Sequence, residues 1–274
     1  MVFESLINPA KAEKKPWEMF FIGIIYSSIA ITLSLYIFRE YASLVMIFLT
    51  VLPSLPLMYF AIKMEEKKDL IIEKEILLIK EHGKVMSFFV FLFLGMIVSF
   101  ALWFVFLPVH TANLVFQSQL SEINRIDEMR YGATGSVISI VSDFSHIFIN
   151  NIGVLIFSLL FAFLYGFGGI FIMTWNATII GAAIGIFIKN SIHNYFFSVP
   201  LGLLRYSIHG IPEVVAYFTA GMAGSIISVA IIRHDIGTPK FRHVLIDSLD
   251  LIIISFIILV IATLLEIFVT PLLF

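Results

Sequence analysis

The chain contains no cysteine. Disulfides, thiolate metal sites and cysteine nucleophiles are excluded, and redox chemistry gives no guide to compartment. Charge is scarce too. Only 13% of the 274 residues are Asp, Glu, Lys or Arg, about half the share usual in a soluble domain. The formal net charge of −2 provides no basic surface, so no nucleic-acid partner is expected. No H-E-x-x-H, G-x-S-x-G or phosphate-loop sequence is present, and an enzyme with a familiar catalytic motif or a bound cofactor is not expected. The N-terminus opens with an acidic amphipathic stretch, and no small-residue cleavage site follows a short apolar core. A cleavable signal peptide is not expected. There is no low-complexity linker and no clear internal repeat.

What the chain has instead is apolar residues, 60% of the total, in runs long enough to cross a bilayer at about 20 residues each. Seven such runs are present, at Met19–Phe38, Tyr41–Ile62, Val85–Pro108, Ile147–Tyr165, Gly168–Ile188, Pro212–Ile232 and Leu249–Phe268. The expected fold class is all-α, a polytopic transmembrane helix bundle of about seven spans, whose direct partner is the lipid bilayer. Between residues 147 and 190 the apolar run is nearly continuous. A turn at Gly166-Phe167-Gly168-Gly169 gives two spans, and the alternative is one span plus a re-entrant segment.

Basic residues set the orientation. Lys11, Lys14, Lys15, Lys63, Lys67, Lys68, Lys74, Lys80, Lys84, Arg233, Lys240 and Arg242 fall on one side, against Arg39, Arg125, Arg130, Lys189 and Arg205 on the other. The N-terminus is therefore expected in the cytoplasm and the C-terminus outside, in the cell membrane. Lys63–Lys84 carries Ile72, Ile76 and Ile79 at helical spacing and reads as a cytoplasmic continuation of the second helix or an interfacial one. His110–His146 reads as external, with a helical part from Gln117 to Met129. Tyr195–Leu204 is too short to cross and reads as interfacial or packed against the bundle. Protein partners would dock on these external or cytoplasmic segments.

Polar side chains inside spans are expensive unless paired, which makes them candidate functional positions. They are Asn150 and Asn151 at the start of the fourth span, Asn176 in the fifth, His209 and Glu213 at the start of the sixth, and Glu266 near the end of the seventh, followed by Thr270 and Pro271. With the orientation above, all but Asn176 gather towards the outer leaflet, and Asn176 lies deeper. His209 and Glu213 are four apart and share a helical face, with Pro212 suited to the first turn. Three roles are open: hydrogen bonds that tie helices together, a path for a small solute or ion, or a metal or catalytic site. A metal held by His146, His193, His209 and Glu213 has no specific spacing behind it, and none is expected. Gly181 and Gly185, and Ala216, Ala220 and Gly224, are small residues at helical spacing that admit close helix packing, within the chain or between two copies of a homo-oligomer. Pro53 and Pro56 should kink the second span. Trp17 and Trp103 read as interfacial anchors, and Trp175 as core.

Several segments together resemble the stage II sporulation protein M family and its archaeal-type relatives. They are Asn150-Asn151 before a Gly-rich double span, Trp175-Asn176-Ala177 followed by Gly181, His209-Gly210-Ile211-Pro212-Glu213, and Glu266-Ile267-Phe268-Val269-Thr270-Pro271. The resemblance covers about Val85 to the C-terminus. It divides the chain into residues 1–84, an N-terminal extension with two spans and a charged helix, and residues 85–274, a five-span core. It implies a membrane scaffold or assembly factor. In spore-forming bacteria the family member recruits cell-wall-degrading partners during engulfment. The alternative is a transporter or channel for a small solute or ion through the Asn/His/Glu cluster.

Overall fold

A computed structural model describes residues 15–69, 75–131, 137–165, 168–190, 195–232 and 236–273. They are 95% helical, without strands. The elements are α1 (Glu18–Ile37), a 3-10 turn (Arg39–Tyr41), α2 (Ala42–Asp69), α3 (Glu75–Phe106), α4 (Val109–Val115), α5 (Gln117–Tyr131), α6 (Val137–Tyr165), α7 (Gly168–Asn190), α8 (Tyr195–Ile232), α9 (Pro239–Leu264), a π turn (Leu265–Val269) and α10 (Thr270–Leu273). Seven helical stretches are long and apolar enough to cross a membrane. Large side chains such as Phe21, Ile29, Phe48, Phe106, Leu164, Ile253 and Ile261 stand exposed on the outside of the bundle. A helix that is apolar on every side needs lipid or protein around all of it.

Close approaches organise the packing. A methyl group placed on Gly23 would land on the carbonyl oxygen of Leu92, and one on Gly95 would land on that of Phe20. Further along the same pair, Ser28 Oγ lies 3.0 Å from Ser99 Oγ. Residue numbers rise together on both helices, so α1 and α3 run in parallel. The same holds for α3 and α7. Gly181 faces Phe100 and Gly185 faces Phe104, where added Cβ atoms would come within 2.6 and 2.7 Å. Gly224 of α8 sits against the Leu159 carbonyl of α6, and Ala216 and Ala220 are fully buried. These small residues face other helices of the same chain, where a missing Cβ lets backbones meet.

One open alternative is closed, and three sequence expectations are revised. The run from 147 to 190 forms two full-length helices, α6 and α7, which removes the re-entrant alternative; Gly166 and Phe167 lie outside the described residues. The sixth span is the second part of one 38-residue helix with Pro200 and Pro212 inside it. Pro212 is thus not in a first turn, and Tyr195–Leu204 forms the first turns of α8 rather than a separate segment. The seventh helix starts at Pro239, ten residues before Leu249. Gly237 takes φ +84, a backbone shape that favours glycine. Thr238 Oγ1 accepts the Phe241 N–H at 3.2 Å, and Pro239 occupies the first turn, an arrangement that starts helices well.

The third revision concerns the segment after α3, read from sequence as external. Lys189 Nζ donates to the Leu107 carbonyl at 3.1 Å, tying the ends of α7 and α3 together. Past Pro108 the chain folds back. Phe116 packs on Phe104 and Phe100 with ring centroids 5.2 and 6.4 Å apart. Gln119 then reaches Thr178 at 3.1 Å, which is eleven residues before Lys189 on α7, or about 16 Å along a helix. Ala112, Val115, Phe116 and Gln119 are buried, so the α4–α5 elbow is part of the bundle. Only beyond it do Glu122 and Arg125 form a two-pronged surface pair. The carboxylate raises the guanidinium's already high pKa through the hydrogen bond and its charge. At other positions, α2 does continue past the second span, to Asp69, and α3 begins at Glu75, before the third. Trp103 is no simple interfacial anchor, because its indole donates to Ser28 Oγ at 3.1 Å.

Gln119 is the polar residue that the sequence reading missed. Its Oε1 accepts from Ser43 Oγ at 2.9 Å, and its Nε2 donates to Thr178 Oγ1. Ser43 Oγ also accepts the Ser118 N–H at 3.0 Å. Three helices, α2, α5 and α7, are thereby stitched through one carboxamide. Interhelical hydrogen bonds in membranes average about 0.6 kcal/mol. Gln119→Leu severs two of them and strands the Ser43 hydroxyl proton, so a loss of about 1–2 kcal/mol is expected. Guanidinium- or detergent-driven unfolding of the purified variant checks this; an unchanged midpoint would mean that the elbow is held by packing alone.

Candidate functional site: a polar clasp between α6, α8 and the C-terminal π turn

The α6–α8 seam is parallel. Asn151 Nδ2 donates to Glu213 Oε1 at 2.6 Å. Seven residues on, which is the same face of α6, Ser158 Oγ donates to the Tyr217 carbonyl at 2.8 Å. Gly224 against Leu159 continues the contact. Asn151 is buried, while Asn150 is exposed and makes only a long contact, 3.5 Å, with Asn151 Oδ1. Of the adjacent asparagines, then, only the second faces the bundle.

The α8–α9 pair is antiparallel and ends in the π turn. Pro271 explains that turn: it has no N–H to donate, and its ring crowds the carbonyl four residues back. The helix widens in response, and Thr270 Oγ1 donates to the Leu265 carbonyl, five residues back, at 3.2 Å. Thr270 Oγ1 also lies 3.3 Å from His209 Nδ1. Its proton is already engaged by Leu265, so His209 Nδ1 is the donor of that bond. Glu266 lies in the π turn itself. Tyr217, buried on α8, is within electrostatic reach of both Glu213 and Glu266.

Asn176 stands apart in bonding but not in depth. Gly169 packs on Gly221, and Gly210 faces Ile180. This antiparallel register of α7 and α8 sets Asn176 level with Val214, beside Glu213, rather than deeper. Its amide donates to the Ile172 carbonyl of its own helix at 2.8 Å. Beside it, a cleft between α3, α7 and α8 is lined by Met86, Phe89, Val90, Met173, Val214, Val215 and Phe218, all apolar. Among the described residues no group of three or more His, Asp or Glu is gathered to hold a metal. His146 is exposed, and His193 lies outside the described residues.

A buried carboxylate escaped the sequence reading. Asp247, on α9 near the other end of the bundle, is 6% exposed and lies 3.5 Å from His243 Nε2. The usable signal was the Thr238-Pro239 start, which makes residues 240–248 helical and turns position 247 towards α8.

No curated protein and no solved structure matches the chain. The family model for stage II sporulation protein M matches residues 84–271, from the start of the third span to Pro271. The match covers more than half of the chain and contains every residue of the clasp; this multi-pass membrane protein belongs to the stage II sporulation protein M family.

Proposed function

We propose that the chain is a membrane scaffold or assembly factor rather than an enzyme, and that the Asn/His/Glu cluster clasps its helices together. The observation that carries this reading is how the cluster's groups are engaged. Asn151 donates to Glu213, His209 to Thr270, and Asn176 to its own helix, while the neighbouring cleft is apolar. A solute path needs polar groups turned towards a shared space. A nucleophile needs its proton directed at a base, whereas Thr270 directs its proton at Leu265 and Ser158 at Tyr217.

The docking surfaces in this reading are the exposed part of α5, with Glu122 and Arg125, and the extensions of α2 and α3 beyond the spans. The lysine-rich end faces the cytoplasm, and the clasp lies towards the outside. One observation favours the second reading, passage of a small solute or ion: Asn176 is level with Glu213, so the three central helices do bring polar groups to one depth.

Two measurements on the full chain separate the readings. Cross-linking in native membranes should recover a partner protein from the wild type and lose it when Glu122→Arg and Arg125→Glu are combined. The purified protein in vesicles should pass no small ions. Ion flux that Glu213→Gln abolishes, with no partner lost in the charge-reversed variant, would replace the scaffold by the transporter.

A further inference from the structure

The outward face of α6 differs from the other lipid-facing surfaces. On α1, α2 and α9 the outward mid-span positions are apolar, as Ile25, Ile29, Phe48, Leu52, Ile253 and Ile257 illustrate, and lipid tails cover such faces well. On α6 the exposed positions include Asn150 and Gly153. Asn150 is six residues inside the apolar stretch that begins at Phe144, about 9 Å along the helix. A carboxamide carries two N–H donors and an acceptor oxygen. Among the described residues Asn150 makes one long contact, to Asn151 Oδ1 at 3.5 Å. Hydrocarbon satisfies none of the remainder, so an outward amide at that depth is costly. The exposed residues are also regularly spaced. His146, Asn150, Gly153, Phe157, Leu160 and Leu164 follow alternating steps of four and three, and Ile149 and Ile156 flank them on one side. These are heptad positions, with Asn150, Phe157 and Leu164 at a and His146, Gly153 and Leu160 at d, the spacing that keeps one face of a helix against a partner helix.

We propose that two copies of this chain pair along α6, with Asn150 bonded to Asn150 of the second copy. Copies inserted in one membrane share an orientation, so two α6 helices meet in parallel about a two-fold axis along the membrane normal. In such an isologous contact each residue near the axis faces its own counterpart. That condition selects the residue type. Two like charges would repel, whereas a carboxamide is both donor and acceptor, so two of them exchange a pair of hydrogen bonds. A single Asn at an a position fixes register and strand number in parallel coiled coils, and membrane helices pack mostly in the same left-handed geometry. The side chains fit this register. In parallel knobs-into-holes packing Phe157 enters the hole bounded by residues 153, 156, 157 and 160 of the second copy. Gly153 leaves room for the ring, since its own chain puts nothing within 4 Å of a Cβ there. A methyl would still leave that room, and a branched side chain would not. The other sides of α6 are engaged within one copy. Asn151 and Ser158 bond to α8, and Phe148 packs edge-on against Phe256 of α9. The seam goes beyond the scaffold reading and stands independently of it.

The absence of cysteine suits disulfide mapping of the full chain in native membranes. Leu160→Cys, in the seam, should cross-link two copies under mild oxidation. Ile253→Cys, similarly exposed on α9, should not. In vesicles diluted with lipid, Asn150→Leu should weaken dimerisation about eightfold, as expected for two interhelical hydrogen bonds of average strength. Asn150→Gln, which keeps the carboxamide, should weaken it less. Gly153→Ile should weaken it although nothing in its own copy crowds the new side chain. Asn150→Leu should leave the unfolding midpoint unchanged at high dilution in detergent, where copies are apart; this separates a lost seam from a lost fold. Equal cross-linking at Leu160→Cys and Ile253→Cys overturns the proposal, and so does a chain that stays monomeric in vesicles. Dimerisation that Asn150→Leu leaves intact overturns it too. A Leu160→Cys adduct with a different protein, in place of a second copy, would do the same and give the face to another partner.

Discussion

Gly95→Ala should destabilise the protein by about 3 kcal/mol, at the upper end of what overpacking costs, and should detach α1 before the rest of the bundle unfolds. The added methyl would fall on the Phe20 carbonyl oxygen, and neighbouring Phe20 backbone atoms leave it no sideways escape. Backbone cannot rotate aside as a side chain can, so the two helices must separate. Separation also stretches the Ser28–Ser99 and Trp103–Ser28 bonds one to two turns along the same seam. Gly224→Ala should act alike at the α6–α8 seam, where the obstacle is the Leu159 carbonyl. Gly181→Ala should cost somewhat less, because the nearest atom, Phe100 Cβ at 2.6 Å, stands further off than the Phe20 and Leu159 carbonyl oxygens do, although it too is fixed to the backbone and cannot rotate aside. Gly153→Ala is the control. Its methyl meets nothing within 4 Å, and alanine is the better helix former. Unfolding midpoints of the four purified variants check the order Gly95 and Gly224, then Gly181, then Gly153. Equal midpoints for Gly95→Ala and Gly153→Ala would show that α1 and α3 do not meet as closely as described. Residues 84–271 match the family without α1, so Gly95 in the family core contacts a helix outside the match.

The number and rough position of the spans were legible because hydrophobic length is a property of the chain alone. Their ends were not, because leaving the apolar region does not end a helix. The first turns of α8, Tyr195–Leu204, are apolar but too short to cross alone, and they run on into one helix with Pro200 and Pro212 in its interior. The start of α9 was marked by Thr238-Pro239, a local signal that mean hydropathy overrides. Gln119 was hidden in a polar stretch that reads as external. Its burial comes from the chain doubling back at Pro108, with Val115, Phe116, Leu120 and Ile123 supplying the apolar face. The clasp residues were visible as polar positions in apolar runs. Which of them pair was set by two tertiary facts, the α6–α8 register and the widened turn before Pro271. Asn176 was misjudged in depth because depth was counted from the ends of spans, whereas α8 slides past α7 by the length of its early turns.

Asn151→Leu should cost about 1–2 kcal/mol, more than most single hydrogen bonds between membrane helices, because it leaves an acceptor on Glu213 without its donor. Glu213→Leu should cost a similar amount through loss of the same bond. The double variant should cost clearly less than the two losses added, by about 1 kcal/mol, since each single change already breaks the shared interaction. Phe106→Leu, at a ring 79% exposed on the outside of the bundle, should fall within about 0.5 kcal/mol of wild type, as surface changes usually do. This cycle decides what the 2.6 Å contact is for. Full additivity would mean that Asn151 and Glu213 act independently, and Glu213 would then be better explained as a group facing a solute. Coupling between them, with Asn150→Leu nearly silent because that side chain points outwards, fits a bond whose purpose is to hold α8 on α6.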